Sequence, residues 1–172
     1  FVKVDDEKMS KSLGNFFTIR SILEHFEPEV IRFFILRAHY RSPLNYSDKH
    51  LEEAKKGLIR LYLSIRNITD NQKAIDWTGP YANKFKEALD DDFNSAEALS
   101  ILYELANKAN KNKNNDDQNL LLRLANIIGI LNQDPEIFLK GEKKDTYDFD
   151  IDELILKRDT AKKNKDFLEA DK

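Results

Sequence analysis

Two ammonium groups with Met9 and Ser10 between them, in Lys8-Met9-Ser10-Lys11-Ser12, are the sharpest chemical signal in this 172-residue sequence. Lysines three residues apart on a flexible loop with small serine neighbours can both swing onto a polyphosphate, acting as point charges that donate hydrogen bonds. Where a carboxylate attacks the α-phosphorus of ATP, negative charge grows on the departing pyrophosphate. Lysines that engage it mainly at that stage lower the barrier, and Gly14 gives such a loop freedom to close. A Lys-x-x-Lys pair taken alone is an ordinary solvated turn; this one lies directly after a strand and just before a helix.

The positioning elements follow from periodicity. Phe1-Val2-Lys3-Val4 alternates apolar and polar and reads as a strand, and an acidic turn separates it from the loop Lys8 to Asn15. Thr18 is placed to cap a helix with the stripe Ile19, Ile22, Leu23 and Phe26. Pro28 opens a second helix, apolar nearly all round from Glu29 to about Tyr40, and Pro43 in Arg41–Tyr46 forces a connector. Ser47 caps a long helix with Leu51, Ala54, Leu58, Leu61, Tyr62 and Ile65 on one face, ending near Asn67. Turn residues over 69–80 predict a linker, and Phe85 and Leu89 begin the next helix. Asn94 with Glu97 forms a capping pair for a helix carrying Ala98 to Ala109. Lys111 to Asn119 reads as an exposed asparagine-rich break before the stripe Leu120, Leu124, Ile127, Ile128 and Leu131. Asp134-Pro135 starts a short turn of helix. Residues 141–148 read as a second linker, and Asp150 with Glu153 caps a final, mostly charged helix.

Totals narrow the function classes. Lys plus Arg number 28 against 31 Asp plus Glu, so whole-chain charge argues for no polyanionic partner. Residues 1–67 nevertheless carry a net +3 and the remainder −6, so the front third is the part that can face phosphate. Without cysteine there is no disulfide, and three scattered histidines, His25, His39 and His50, give no metal-site spacing. Each histidine is expected to be a packed or surface residue. No apolar run is long enough for a membrane span, which makes a cytoplasmic protein the default. The start at Phe1 and the stop at Lys172 within a charged helix read as cuts rather than natural termini. The triplet Asp90-Asp91-Asp92 is expected to serve the positive end of the following helix rather than a metal. Trp77 is expected to cover a bundle edge. Of Arg32, Arg37, Arg41, Lys55, Lys56 and Arg60, most are expected to be solvated helix faces, with Arg41 in the connector as the weak candidate for contacting nucleic acid.

The full string Lys8-Met9-Ser10-Lys11-Ser12-Leu13-Gly14-Asn15 resembles the signature loop, KMSKS, of class I aminoacyl-tRNA synthetases. Three separated blocks, Ser12–Arg20, His39–Ser47 and Ala88–Ala98, look like the cysteinyl-tRNA synthetases among them. The resemblance covers essentially residues 1–140. It departs at Ser95-Ala96, where the family often has Thr-Pro.

That resemblance implies an all-α helical bundle whose amino end is a short strand and loop left from a Rossmann-like catalytic domain. Residues 1–20 would end the catalytic domain, 21–69 form a helical stem-contact region, 70–140 a bundle of the DALR type, and 141–172 a linker and the start of an incomplete anticodon-binding domain. By position, Lys11 would bind ATP phosphate with Lys8 assisting, and Met9, Ser10 and Ser12 would complete the ATP loop; Arg41 stays the tRNA candidate. ATP with Mg2+, cysteine and tRNA(Cys) are the implied ligands of a monomeric full-length protein. Zinc is implied there too, with ligands upstream of this chain, so this piece alone is expected to be inactive. Two alternatives stay open: the cysteine ligase of mycothiol synthesis, which shares the catalytic architecture, and a stand-alone helical interaction module.

Overall fold

The structure, a computed structural model, describes residues 2–4, 7–10, 12, 15–16, 18–71, 73–140, 158–160 and 162. It divides into two compact units, residues 1–139 and 140–172. In the second, residues 158–160 and 162 are helical, and the capping pair expected at Asp150 and Glu153 lies outside the described residues. The first unit is mostly helical, with a small sheet at its amino end.

That sheet is built from β1 (Val2–Val4), β2 (Glu7–Lys8) and β3 (Leu44–Tyr46), in the order β2-β1-β3. β2 returns antiparallel beside β1, with Lys3 across from Lys8 and Val4 across from Glu7. β3 lies parallel to β1, Val2 facing Leu44 and Val4 facing Tyr46. A parallel partner needs a crossover. Here it is made by α1 (Ile19–Ile22) and α2 (Pro28–Leu36).

α1 starts where Thr18 predicts. Thr18 and Ser21 satisfy each other's backbone N–H groups in a capping box, but one turn later the helix ends. Only Ile22 and Phe26 of the expected stripe pack on the core. Ile19 and Leu23 are 63% and 43% exposed, since so short a helix turns no continuous face toward its neighbours. α2 stops at Leu36, four residues short of the expectation, and its Ile35 is half-exposed rather than buried.

α3 (Asp48–Ser64) is the central helix, and its sequence stripe is its buried face: Leu51, Ala54, Leu58, Leu61 and Tyr62 are fully buried. Its start is set by Ser47, whose side chain accepts the His50 N–H. α2 packs on one side of it and α5 (Ser95–Asn112) on another. Gly57 makes the close approach: a Cβ there would stand 2.5 Å from Tyr103 Oη and 3.1 Å from Phe33 Cε1. α4 (Pro80–Asp90) and α6 (Asn115–Ile127) flank α5, and α7 (Pro135–Lys140) follows, capped by Asp134 accepting from the Glu136 and Ile137 amides.

The expected break at Lys111–Asn119 is instead helix on both sides of a tight corner. Lys113 adopts left-handed φ 49° and Asn114 caps α6, so the asparagines at 115 and 119 ride on the first turns of that helix. The segment after α3 lies across both, leaving Asn115 half-buried and Asn119 buried. Asn115 accepts from the Thr69 N–H and donates back to the Thr69 carbonyl. Asn119, 2% exposed, accepts from the Asn71 N–H and donates to the Thr69 carbonyl. The linker predicted at 69–80 thus begins as a strap hydrogen-bonded to α6 through its backbone.

Among the described residues no helix is long and apolar enough to cross a membrane.

Candidate functional site

Lys8 ends β2 with its side chain exposed, and the chain leaves the sheet through Met9 and Ser10, both half-buried. The Met9 N–H donates to the Val2 carbonyl at 3.3 Å, continuing the β1–β2 ladder by one residue. On the opposite edge, the Asn15 side chain reaches back. Its Oδ1 accepts the Ser10 N–H at 2.8 Å and its Nδ2 donates to the Lys8 carbonyl at 3.3 Å. Ser10 Oγ lies 3.2 Å from Ser12 Oγ. The structure therefore gathers Lys8, Met9, Ser10 and Ser12 into one anchored turn; Lys11 lies outside the described residues.

Sequence reading overlooked two contributors. Asn15 stands within the quoted signature, and the clue was its primary amide, a donor and an acceptor on one rigid group. Lys3 is brought across from Lys8 by the hairpin register, on the same face of the pleat. Like charges so placed repel, and an anion between them would relieve the repulsion.

Arg41 is placed in a second cluster. Asp92, at the corner between α4 and α5, receives three consecutive connector residues from 53 to 51 positions earlier. His39 Nε2 lies 3.1 Å from the Asp92 carbonyl oxygen, Tyr40 Oη donates to Asp92 Oδ1 at 2.7 Å, and Arg41 pairs with Oδ2 at 3.1 Å. The Arg41 N–H also points at His39 Nδ1, 3.3 Å away, so the tautomer that accepts at Nδ1 and donates from Nε2 satisfies both contacts. His39 stacks on Tyr40, and the Arg41 guanidinium lies 5.4 Å from the Tyr40 ring centre on its other contact. The hydrogen bond to Asp92 pushes the Tyr40 hydroxyl pKa up, as carboxylate acceptors do. The histidine lacking an Asp partner in sequence has one in space.

This cluster also explains the acidic triplet. Asp90 pairs with Lys86 at 3.1 Å, Asp91 closes α4, and Asp92, in left-handed φ 52°, holds the connector. Among the described residues no group of three or more His, Cys, Asp and Glu could hold a metal ion. Of the other cations considered, Arg32 donates to the Gly129 carbonyl at 2.7 Å, and Arg60 lies 5.2 Å from the Tyr103 ring centre. Burial raises the Tyr103 hydroxyl pKa, and the neighbouring Arg60 and Arg37 partly offset it. Trp77 is 42% exposed.

A groove of about 660 Å³ beside the sheet is lined by Val4, Ile22 and Tyr46 together with Glu24, Asp48 and Glu52. Three carboxylates make it a poor seat for polyphosphate, and the loop itself is the better candidate.

The model of the class I (C) tRNA synthetase catalytic domain matches residues 1–56, and the DALR domain model matches residues 84–133. The chain is 53% identical over 176 residues to a cysteine–tRNA ligase of Aromatoleum aromaticum, covering 100% of the chain and 38% of that protein. The corresponding ligases of Methylobacillus flagellatus and Laribacter hongkongensis are 55% identical over 173 residues and 49% over 176, with the same coverage. Over its whole length the chain is similar to part of these cysteine–tRNA ligases. It spans about 38% of the length of the curated relatives it matches. Within the family's architecture, Asp92 belongs to the DALR match and His39, Tyr40 and Arg41 to the catalytic-domain match, so their cluster ties the two matched segments together.

Proposed function

We propose that the protein containing this sequence activates cysteine with ATP to cysteinyl-adenylate and transfers it to tRNA(Cys), and that this stretch supplies the ATP-phosphate loop and helices facing tRNA. The observation that carries the reading is 53% identity to a cysteine–tRNA ligase across the whole chain, the loop included.

In this mechanism a carboxylate oxygen of cysteine bonds to the α-phosphorus as the bond to the bridging oxygen breaks, and the electron pair leaves with pyrophosphate. Lys8 and Lys11 donate to the departing phosphates, and Met9, Ser10 and Ser12 shape the loop that presents them. Mg2+ accompanies ATP. Zinc is expected in the full-length protein, with its ligands upstream of this stretch. Residues 1–20 close the catalytic domain, 21–69 contact the tRNA stem, 70–140 form the DALR-type bundle, and 141–172 lead toward the anticodon-binding domain of a cytoplasmic monomer. Arg41 is the tRNA contact: Asp92 holds one edge of its guanidinium while its side chain stays 70% exposed, leaving further donors of the fork for a phosphate. No observation favours the amino-sugar ligase or the interaction module.

The test is cysteine-dependent ATP–pyrophosphate exchange by the complete ligase. Lys11→Ala should lower kcat by about 10²–10³, the usual loss of a contact made to charge developing in the transition state, and leave the KM for cysteine unchanged. Equal loss of rate and cysteine binding contradicts the assignment.

A further inference from the structure

The geometry points to Asn15 as the positioning residue of the phosphate loop, its side chain standing in for a missing strand; this rests on the proposed phosphate role of Lys8 and Lys11. Among the described residues β2 is an edge strand of the sheet, in the order β2-β1-β3. In an antiparallel ladder a residue bonded on one edge leaves the carbonyl before it and the N–H after it pointing out of the other. Met9 is in that position. Its N–H faces inward to the Val2 carbonyl, so the Lys8 carbonyl and Ser10 N–H face outward. Those are the two groups that Asn15 satisfies, with its oxygen toward the donor and its nitrogen toward the acceptor.

Only one orientation of the amide pairs both groups, so the arrangement is specific to a side chain carrying a donor and an acceptor side by side. Aspartate keeps the acceptor for Ser10 and loses the donor for Lys8, whereas alanine loses both. The consequence is positional. The Met9 N–H is held on one edge and the Lys8 carbonyl and Ser10 N–H on the other, so the backbone that leads into Lys11 is tied through Asn15. Catalytic gain from such a loop depends on the fraction of time its donors are aimed where charge develops, so Asn15 acts on the rate of adenylation through Lys8 and Lys11 without touching cysteine.

The experiment uses the complete ligase with Asn15→Ala, Asn15→Asp and, separately, Lys11→Ala. Three quantities are read: kcat and cysteine KM in ATP–pyrophosphate exchange, the rate of tryptic cleavage after Lys8 in the folded protein, and Tm. Asn15→Ala should accelerate cleavage and lower kcat, each by about tenfold, which corresponds to one or two ordinary hydrogen bonds. Cysteine KM and Tm should barely move, and Asn15→Asp should fall between alanine and the parent in cleavage rate. An unchanged kcat or an unchanged cleavage rate in Asn15→Ala overturns the proposal, as does a rise in cysteine KM matching the fall in kcat. If Asn15→Ala lowers Tm strongly, Asn15→Asp decides: parental cleavage and parental kcat there overturn it. Failure of the underlying reading looks different: Lys11→Ala then leaves exchange intact while Asn15→Ala still accelerates cleavage.

Discussion

Glu29 is the buried carboxylate that should matter most to stability. It sits in the first turn of α2, 6% exposed, and its donors come from far along the chain. Tyr62, fully buried on α3, donates its hydroxyl to Oε2 at 2.9 Å; the Leu131 N–H donates to Oε1, and Gln133 Nε2 lies 3.4 Å from Oε2. Leu131 holds left-handed φ 58°, so Glu29 also pins an unfavourable backbone turn after α6. Burial raises the Tyr62 hydroxyl pKa, consistent with a dry site. Glu29→Ala leaves the Tyr62 hydroxyl and Leu131 amide without acceptors, at about 1–3 kcal/mol each. Relief from burying a carboxylate offsets part of that, so the net loss should be about 2–4 kcal/mol, with a Tm about 6–14 °C lower for a unit of this size. Glu29→Gln keeps an acceptor for Leu131 but turns a donor toward Tyr62, and should cost about 1 kcal/mol. Urea denaturation followed by far-UV circular dichroism measures both. A Glu29→Ala variant within about 0.5 kcal/mol of the parent, the usual range for a surface change, would refute this account of how α2 is tied to the turn after α6.

Two further outcomes are expected. Gly57→Ala adds a Cβ 2.5 Å from Tyr103 Oη, and overpacking of about 1–3 kcal/mol should outweigh the roughly 1 kcal/mol gained in helix propensity. Adding Tyr103→Phe should recover most of the loss in the same denaturation assay, and a stabilised alanine variant would show that the helices part easily. Asp116 takes Lys73 Nζ at 3.0 Å and the Asn71 amide at 2.8 Å, and chiefly the Lys73 hydrogen bond holds its pKa below the ordinary value. A depressed folded pKa stabilises above the unfolded value, about 3.9 for Asp, and that contribution is lost as pH falls through the folded value. NMR should show Asp116 titrating below the ordinary range and returning to it in Lys73→Met; identical midpoints would remove Lys73 as the cause.

The elements legible in the sequence are those whose signals lie within a turn or two of chain. Ser47 with His50, Asn94 with Glu97 and Asp134 with Ile137 are each three residues apart, and each marks a real helix start. Where a signal depended on what lies across from it, local reading failed. The apolar run of α2 looked buried all round, yet Ile35 is 47% exposed. The asparagines of 111–119 looked like loop, yet two of them cap a strap arriving from residues 69–71.

The candidate site divides the same way. The phosphate chemistry proposed for it comes from the full string Lys8 to Asn15, which resembles one family, since two lysines at this spacing are by themselves an ordinary solvated turn. Its support was not legible in the sequence. The pairing of Lys3 with Lys8 is a matter of hairpin register, and the grip of Asn15 on Lys8 and Ser10 requires the chain to turn back on a sheet edge. Asp92 meets Tyr40 across 52 residues, and Glu29 meets Leu131 across 102. Residue types and short spacings set the helix starts, because capping and periodicity are local interactions. Partners so far apart in the chain are chosen only when packing of α2, α3 and α5 fixes which polar groups become buried together and must satisfy one another.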